Sequence, residues 1–135
     1  MARSSAREAA MQLIYERMMG GQGGEETMLG LMLLNPNEDD MAYIQGTVSG
    51  VFEHLHTLDD RISKYLVSWT MERLARVDLA ILRLAVYEML YREDIPGGVS
   101  INEAVELSRT FSTPESGGFI NGVLGNFLRA EEKVE

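Results

Sequence analysis

Residues 71–92 read MERLARVDLAILRLAVYEMLYR, the longest strongly apolar stretch of this 135-residue chain. The apolar residues recur with the 3.6-residue period of an α-helix, but they leave little room for a polar face. A helix that is apolar on nearly all sides has to be contacted from several directions. We therefore expect a central helix here, with Asp78 as the N-cap of its main part.

The flanking sequence predicts further helices and no sheet. Helical periodicity recurs near residues 5–18, 26–34 and 41–56, and two more helices follow the central one, starting near Ser100 and Ser116. Another helix is expected from about Thr57, and its buried face would comprise Leu58, Ile62, Tyr65, Leu66 and Trp69.

Helix starts are expected where a side chain can accept a hydrogen bond from a free backbone amide. The spacing of a capping box places such a residue three positions before an acid. The pairs with this spacing are Ser5 with Glu8, Thr57 with Asp60, and Ser100 with Glu103.

These elements predict an all-α fold of about seven helices in two packed three-helix-type bundles. We expect one domain spanning residues 1–135, with bundles at about 1–56 and 57–130 that share one core. A chain of this length buries enough apolar surface to fold without a metal or a disulfide, and it contains no cysteine.

The amino-acid composition and charge exclude some classes of function. The formal net charge is -9, which argues against a broad basic surface for nucleic acid. Residues 1–17 nevertheless carry three arginines against two glutamates, whereas residues 25–40 carry five acids and no base. With no signal-peptide pattern and no run near the roughly 18 apolar residues of a membrane span, we expect a soluble, cytoplasmic protein.

The sequence offers little for catalysis. His54 and His56 lack partners at metal-ligand spacing, and no nucleophile motif or phosphate-binding glycine loop is present. We therefore expect no enzyme activity, no metal and no cofactor.

Glycines interrupt the predicted last helix in the segment 108–125, SRTFSTPESGGFINGVLG. Each glycine inside a helix costs roughly 1 kcal/mol relative to alanine. Gly118, Gly122 and Gly125 share one face, which allows either close helix packing or close approach of a nucleotide. Spacing alone favours packing. Gly117 and Gly118 also leave the amides of a helix start open to an anion.

Three segments together resemble the NusB family of transcription antitermination factors. They are SAREAAMQLIYE at 5–16, RVDLAILRLAVYEMLYREDIPGGVSINEAVELSRTF at 76–111 and SGGFINGVLGNF at 116–127. The resemblance implies the all-helical pair of bundles and a non-catalytic RNA-binding adaptor. Such an adaptor binds boxA RNA together with the ribosomal protein NusE, in an RNA polymerase antitermination complex that serves chiefly ribosomal operons.

The resemblance also implies site residues. RNA is met by the N-terminal helix and by the start of the last helix, at Arg3, Arg7, Tyr15, Glu115, Ser116, Gly118 and Phe119. The NusE-facing surface maps to the central helix, at Asp78, Arg83, Glu88, Tyr87 and Tyr91, although the two tyrosines fit the interior equally well. For Tyr15 and Phe119 the residues alone favour core burial.

The chain departs from the family in its charge. Many members begin with a tight arginine cluster, whereas Arg3 and Arg7 stand alone here, and Gly118 replaces a basic residue of some members. We expect a small cationic corner formed by Arg3 and Arg7 beside the turn at 116–119. RNA binding by the chain alone should be weak, and NusE should strengthen it.

The sequence leaves three alternatives to this function open. One is a protein-interaction module that docks a helix without RNA, and another is a homodimer of the same adaptor that masks its surfaces. The third is the RNA-binding domain of a ribosomal-RNA cytosine methyltransferase, which the lack of remaining chain for a catalytic domain disfavours.

Overall fold

The computed structural model describes residues 1–20 and 24–132, and every regular element in those ranges is helical. This confirms the all-α prediction of about seven helices. No helix in the described ranges has the length and apolar character needed to cross a membrane. The elements are α1 Arg3–Met18, α2 Glu25–Leu33, α3 Glu38–Glu53, α4 Leu55–Ser63, a 3-10 turn Met71–Arg73, α5 Arg76–Tyr91, α6 Gly97–Phe111 and α7 Ser116–Glu132.

Helix α5 is the centre of the fold, as its apolar circumference predicts. It packs against α1, α3, α4, α6 and α7, and from Leu79 to Val86 every side chain except Arg83 is buried. The buried apolar residues form one cluster that extends from Ala6 to Phe127.

Helix α1 runs antiparallel to α5. Tyr15 shares a cavity with Val77 at the start of α5, whereas Arg7 reaches Glu88 near its end. Asp78 and Glu88 are ten positions apart, which corresponds to about 15 Å along the helix axis. The two ends of α1 therefore contact different ends of α5.

The predicted capping boxes are wrong. Helices α1, α4 and α6 begin three to four residues earlier than expected, and their N-cap positions are Ala2, His54 and Pro96, none of which makes a side-chain cap. Asp78 likewise lies inside the first turn of α5, after the N-cap position Ala75. A capping box does form between Asn37 and Asp40, where none is predicted from the sequence, and it opens α3.

Trp69 departs from its predicted burial. Helix α4 ends at Ser63, so Trp69 is not on its face, and the side chain is 51% exposed. The preceding Ser68 has a left-handed backbone, with a φ of 66°.

Candidate nucleic-acid interface

A hydrogen-bonded cluster joins the start of α5 to the turn between α6 and α7. The carboxylate of Asp78 accepts from the hydroxyl of Ser112 at 2.6 Å and from that of Ser116 at 2.9 Å. The Ser116 Oγ also lies 2.9 Å from the hydroxyl oxygens of Ser112 and Thr113. Because hydrogen bonds to a carboxylate are stronger than neutral ones, this junction fixes the point at which α7 begins.

Two cavities flank this junction. The cavity on the α1 side has a volume of about 310 Å³, and the one on the other side about 340 Å³. Val77 lines the first and its neighbour Asp78 the second, so the two lie on either side of the α5 start. The first is lined by Met11, Gln12, Tyr15, Glu16, Val77 and Phe111, and the second by Trp69, Arg73, Leu74, Ala75, Asp78, Thr113, Glu115, Ser116 and Phe119.

An aromatic ring lines each cavity and is only partly buried by the core. Tyr15 and Phe119 are each half-buried and pack against the margin of the core. Phe119 also meets Trp69 edge to face, with ring centroids 6.4 Å apart. The structure thus brings Tyr15 and Phe119 into the two cavities beside this junction, and full core burial, which the residues alone favour, is wrong for both.

The glycine face of α7 does not pack against another helix. A Cβ added at Gly118 or Gly122 would meet nothing within 4 Å, and at Gly125 it would meet only the Arg129 side chain, at 3.5 Å. The packing interpretation favoured by spacing is therefore wrong for this face. Gly117 and Gly118 instead line a shallow cavity of about 470 Å³ between α6 and α7.

Arg7 is not available to a phosphate, which corrects the expected contact. The residue is 3% exposed, and its guanidinium donates to Glu88 at 2.8 and 3.3 Å and to Glu103 at 3.1 Å. Burial alone lowers the pKa of Arg7, but the hydrogen bond and the charge of Glu88 more than offset this, so its pKa is raised. A fully buried carboxylate on α5 requires such a cation.

The predicted capping residues of α6 belong to the same cluster around Arg7 and Glu88. Ser100 donates to Glu88 at 2.8 Å, and Glu103 accepts from Ser4 at 2.9 Å as well as from Arg7. Tyr43 on α3 also donates to Glu88. Burial, then the charge of Glu88, raises the pKa of Tyr43 well above its ordinary value. Residues from α1, α3, α5 and α6 are thereby tied together in the interior.

Most of the residues expected to face NusE are engaged internally. Asp78 and Glu88 are buried in the two clusters above, which corrects their expected exposure. Arg83 forms a two-point ion pair with Asp59, at 2.9 Å for both contacts.

The two tyrosines expected at that surface differ from each other. Tyr87 is half-buried against Gly50, whereas Tyr91 is 39% exposed and stacks on His54 with centroids 4.2 Å apart. Tyr91 is therefore the most exposed of the five candidates.

The expected cationic corner does not form. Arg3 is exposed and lies over the ring of Tyr43, 4.4 Å from its centroid, and the guanidinium of Arg92 beyond the end of α5 approaches the same ring. Ser116, in contrast, is bonded to the first turn of α5. Because α1 is antiparallel to α5, Arg3 and Arg7 lie toward the opposite end from the turn, and Tyr15 lies nearer.

Comparison with known proteins gives a consistent result. A family model described as the NusB family matches residues 4–129. The transcription antitermination protein NusB of Acetivibrio thermocellus is 46% identical over 132 residues, which cover 97% of this chain and 91% of that protein. That of Desulforudis audaxviator is 41% identical over 134 residues, covering 98% and 97%.

Solved structures are similar over nearly the whole chain. T. maritima NusB superposes with a TM-score of 0.84 at 31% identity, covering 96% of this chain and 92% of that one. A chain from the crystal structure of antitermination factors NusB and NusE in complex with dsRNA superposes with a TM-score of 0.80 at 28% identity, covering 95% and 96%.

Proposed function

This chain belongs to the NusB family, and we propose that it is a transcription antitermination factor that binds boxA-type single-stranded RNA jointly with the ribosomal protein NusE. In this role it acts in the cytoplasm as an adaptor on nascent transcripts, within an RNA polymerase antitermination complex, and catalyses no reaction. The observation that carries the RNA contact is the placement of Tyr15 and Phe119 on either side of the Asp78 junction.

The chemistry of this face suits unpaired RNA. Proteins commonly hold single strands by stacking bases on aromatic rings, and Tyr15 and Phe119 each reach a cavity. The open backbone at Gly118 lets a ribose or phosphate approach α7 closely. Glu115, which is exposed, can accept hydrogen bonds from the amino groups of bases.

Charge explains the need for a second protein. The chain has a formal charge of -9, and Arg7 is used internally, which leaves Arg3 as the exposed arginine among the RNA-facing candidates. Arg3 and Tyr15 are twelve positions apart, or about 18 Å along α1, so an RNA that touches both must run along this helix. Few phosphate contacts mean weak binding and a shallow salt dependence for the chain alone. NusE supplies the remaining contacts.

Fluorescence anisotropy with labelled boxA RNA tests this function. We expect tight binding with NusE present, weaker binding without it, and no comparable binding of a scrambled RNA. Phe119→Ala should weaken boxA binding by roughly five- to a hundredfold, since one stacked base contributes about 1–3 kcal/mol. Phe52→Ala is the matched control, because Phe52 is a half-buried phenylalanine on α3. Equal affinity for boxA and scrambled RNA, or no effect of NusE, would contradict the proposal.

The NusE-facing surface is proposed to include Tyr91. Tyr91 is the most exposed of the five α5 candidates, and its ring stacks on His54. Aromatic side chains dominate many protein interfaces. Tyr91→Ala should weaken NusE binding in the absence of RNA, as measured by calorimetry, whereas Gln45→Ala on the exposed face of α3 should not. Unchanged NusE affinity in Tyr91→Ala would remove this residue from the interface.

A further inference from the structure

We propose that the cavity between Trp69 and Phe119 is a subsite for one unpaired nucleobase of the bound RNA, with Arg73 as the contact for an adjacent phosphate. This rests on the proposed function and extends it to Trp69 and Arg73, which line the cavity and are not among the RNA-contacting residues that the family resemblance implies.

The two rings form a corner suited to a flat heterocycle. Trp69 is 51% exposed, and its indole meets Phe119 at an interplanar angle of 65°. A base that stacks on one ring therefore presents its edge to the face of the other, which is a favourable aromatic geometry. The cavity volume of about 340 Å³ is roughly ten times the 30 Å³ or so that one water occupies in the liquid, so it has room for a ring system.

The outward position of Trp69 is not required by the core. The residue is not part of the buried cluster, and the left-handed Ser68 turns the chain just before it. A left-handed conformation costs a non-glycine residue roughly 1–2 kcal/mol. Core packing therefore does not account for the exposure of the chain's single tryptophan, and the exposed ring is available to a ligand.

The charges of the residues that line the cavity identify Arg73 as the phosphate contact. This residue is exposed and is the only basic one among the described residues that line the cavity, and no salt bridge to it is found in the described ranges. Its neighbour Arg76 is already used, because it donates to the carbonyls of Met71 and Leu74 and holds the 3-10 turn. Glu115 also lines the cavity, and its negative charge repels a phosphate on its side.

The cavity is also continuous with the proposed RNA face. Phe119 belongs to both, and Asp78 and Ser116, which lie in its wall, position the start of α7. A strand that stacks a base near Tyr15 would cross the junction to reach Trp69. An aromatic corner with one cation beside this path favours a nucleotide over a protein segment as the occupant.

The single tryptophan allows a direct test. With 5-fluorotryptophan incorporated into this chain, Trp69 gives the only fluorine NMR signal in a complex with unlabelled NusE. We expect the signal to shift when boxA RNA is added to that complex, and to stay unchanged when NusE is added alone. No shift at saturating RNA would overturn the subsite. A shift caused by NusE alone would also overturn it, and would identify the cavity as a protein-docking site.

Affinity measurements provide the second test. Trp69→Ala should weaken boxA binding about tenfold, Trp69→Phe should restore most of it, and Val67→Ala is the control because Val67 is 75% exposed but does not line the cavity. Arg73→Gln should reduce the slope of log affinity against log salt by about 0.7, the value for one phosphate of a single strand.

These measurements distinguish failure of the subsite from failure of the proposed function. If folded Trp69→Ala binds boxA RNA like the wild type while Phe119→Ala binds weakly, the subsite is wrong and the proposed function stands. If the wild-type chain with NusE does not distinguish boxA from scrambled RNA, the proposed function fails, and the subsite fails with it.

Discussion

Arg7 and Glu88 form an ion pair inside the protein, with Nε donating to Oε2 at 2.8 Å and neither side chain more than 4% exposed. The pair joins α1 to α5. It also separates two kinds of arginine in α1, since Arg7 stabilises the fold and Arg3 remains on the surface.

Arg7→Ala should therefore lower stability rather than abolish an RNA contact. Removing one partner of a buried ion pair leaves the other charge uncompensated, which costs about 3–5 kcal/mol of unfolding free energy. Urea denaturation followed by circular dichroism measures this loss. Arg3→Ala is the control, and its loss should stay below about 1 kcal/mol, the size of an exposed cation–π contact. An Arg7→Ala protein of native stability that no longer binds RNA would contradict this assignment.

Tyr43 should give the protein a characteristic alkaline transition. Its pKa is raised in the folded state, so its contribution to stability is complete below the unfolded pKa of about 10 and is lost as the pH rises above that value. Of the five tyrosines, one should therefore ionise only as the chain unfolds. Near-ultraviolet tyrosinate absorbance, recorded with circular dichroism, tests this, and Tyr43→Phe should remove that step. Ionisation of Tyr43 while the chain stays folded would argue against it.

Two glycines of α3 provide a matched pair for packing. A Cβ at Gly50 would overlap the ring of Tyr87, whereas one at Gly46 would meet nothing within 4 Å. Gly50→Ala should cost about 1–3 kcal/mol through overpacking, and Gly46→Ala should gain up to about 1 kcal/mol from helix propensity. Thermal denaturation compares the two. Equal shifts in Tm would mean that Tyr87 does not occupy this contact.

The glycines of α7 should separate stability from RNA binding. Gly118→Ala and Gly122→Ala should each stabilise the helix by up to about 1 kcal/mol, because the added methyl groups meet open space. At Gly118, the candidate RNA contact, the same methyl should weaken boxA binding. Denaturation and anisotropy on the same preparations test both effects. A loss of stability in both variants would restore the helix-packing explanation.

The helices and the central position of α5 could be predicted because they follow from periodicity, which is local information. Burial of Arg7 also had a local signal, since Arg7, Met11 and Ile14 lie at helical spacing on one face. Likewise, Glu88 continues the buried face of α5. Which acid meets which base depends on helix packing, and periodicity alone does not determine it.

Tertiary contacts explain two of the failed caps. Ser100 and Glu103 are three positions apart, so in a helix they share a face, and that face meets Arg7 and Glu88 rather than a free helix end. Asp78 is similarly used by Ser112 and Ser116. Trp69 lies off the predicted helix face because the helix does not continue past Ser63, where α4 ends. In each case a tertiary contact or a chain turn overrode a local pattern.

Ultraviolet crosslinking of boxA RNA to the complex with NusE, with mass spectrometry of the linked peptides, tests the central claim most directly. We predict crosslinks in this chain at Tyr15 and at the segment 112–119, the two sides of the Asp78 junction. Crosslinks confined to α2, α3 or the N-terminal arginines, with none at either side of the junction, would contradict the account.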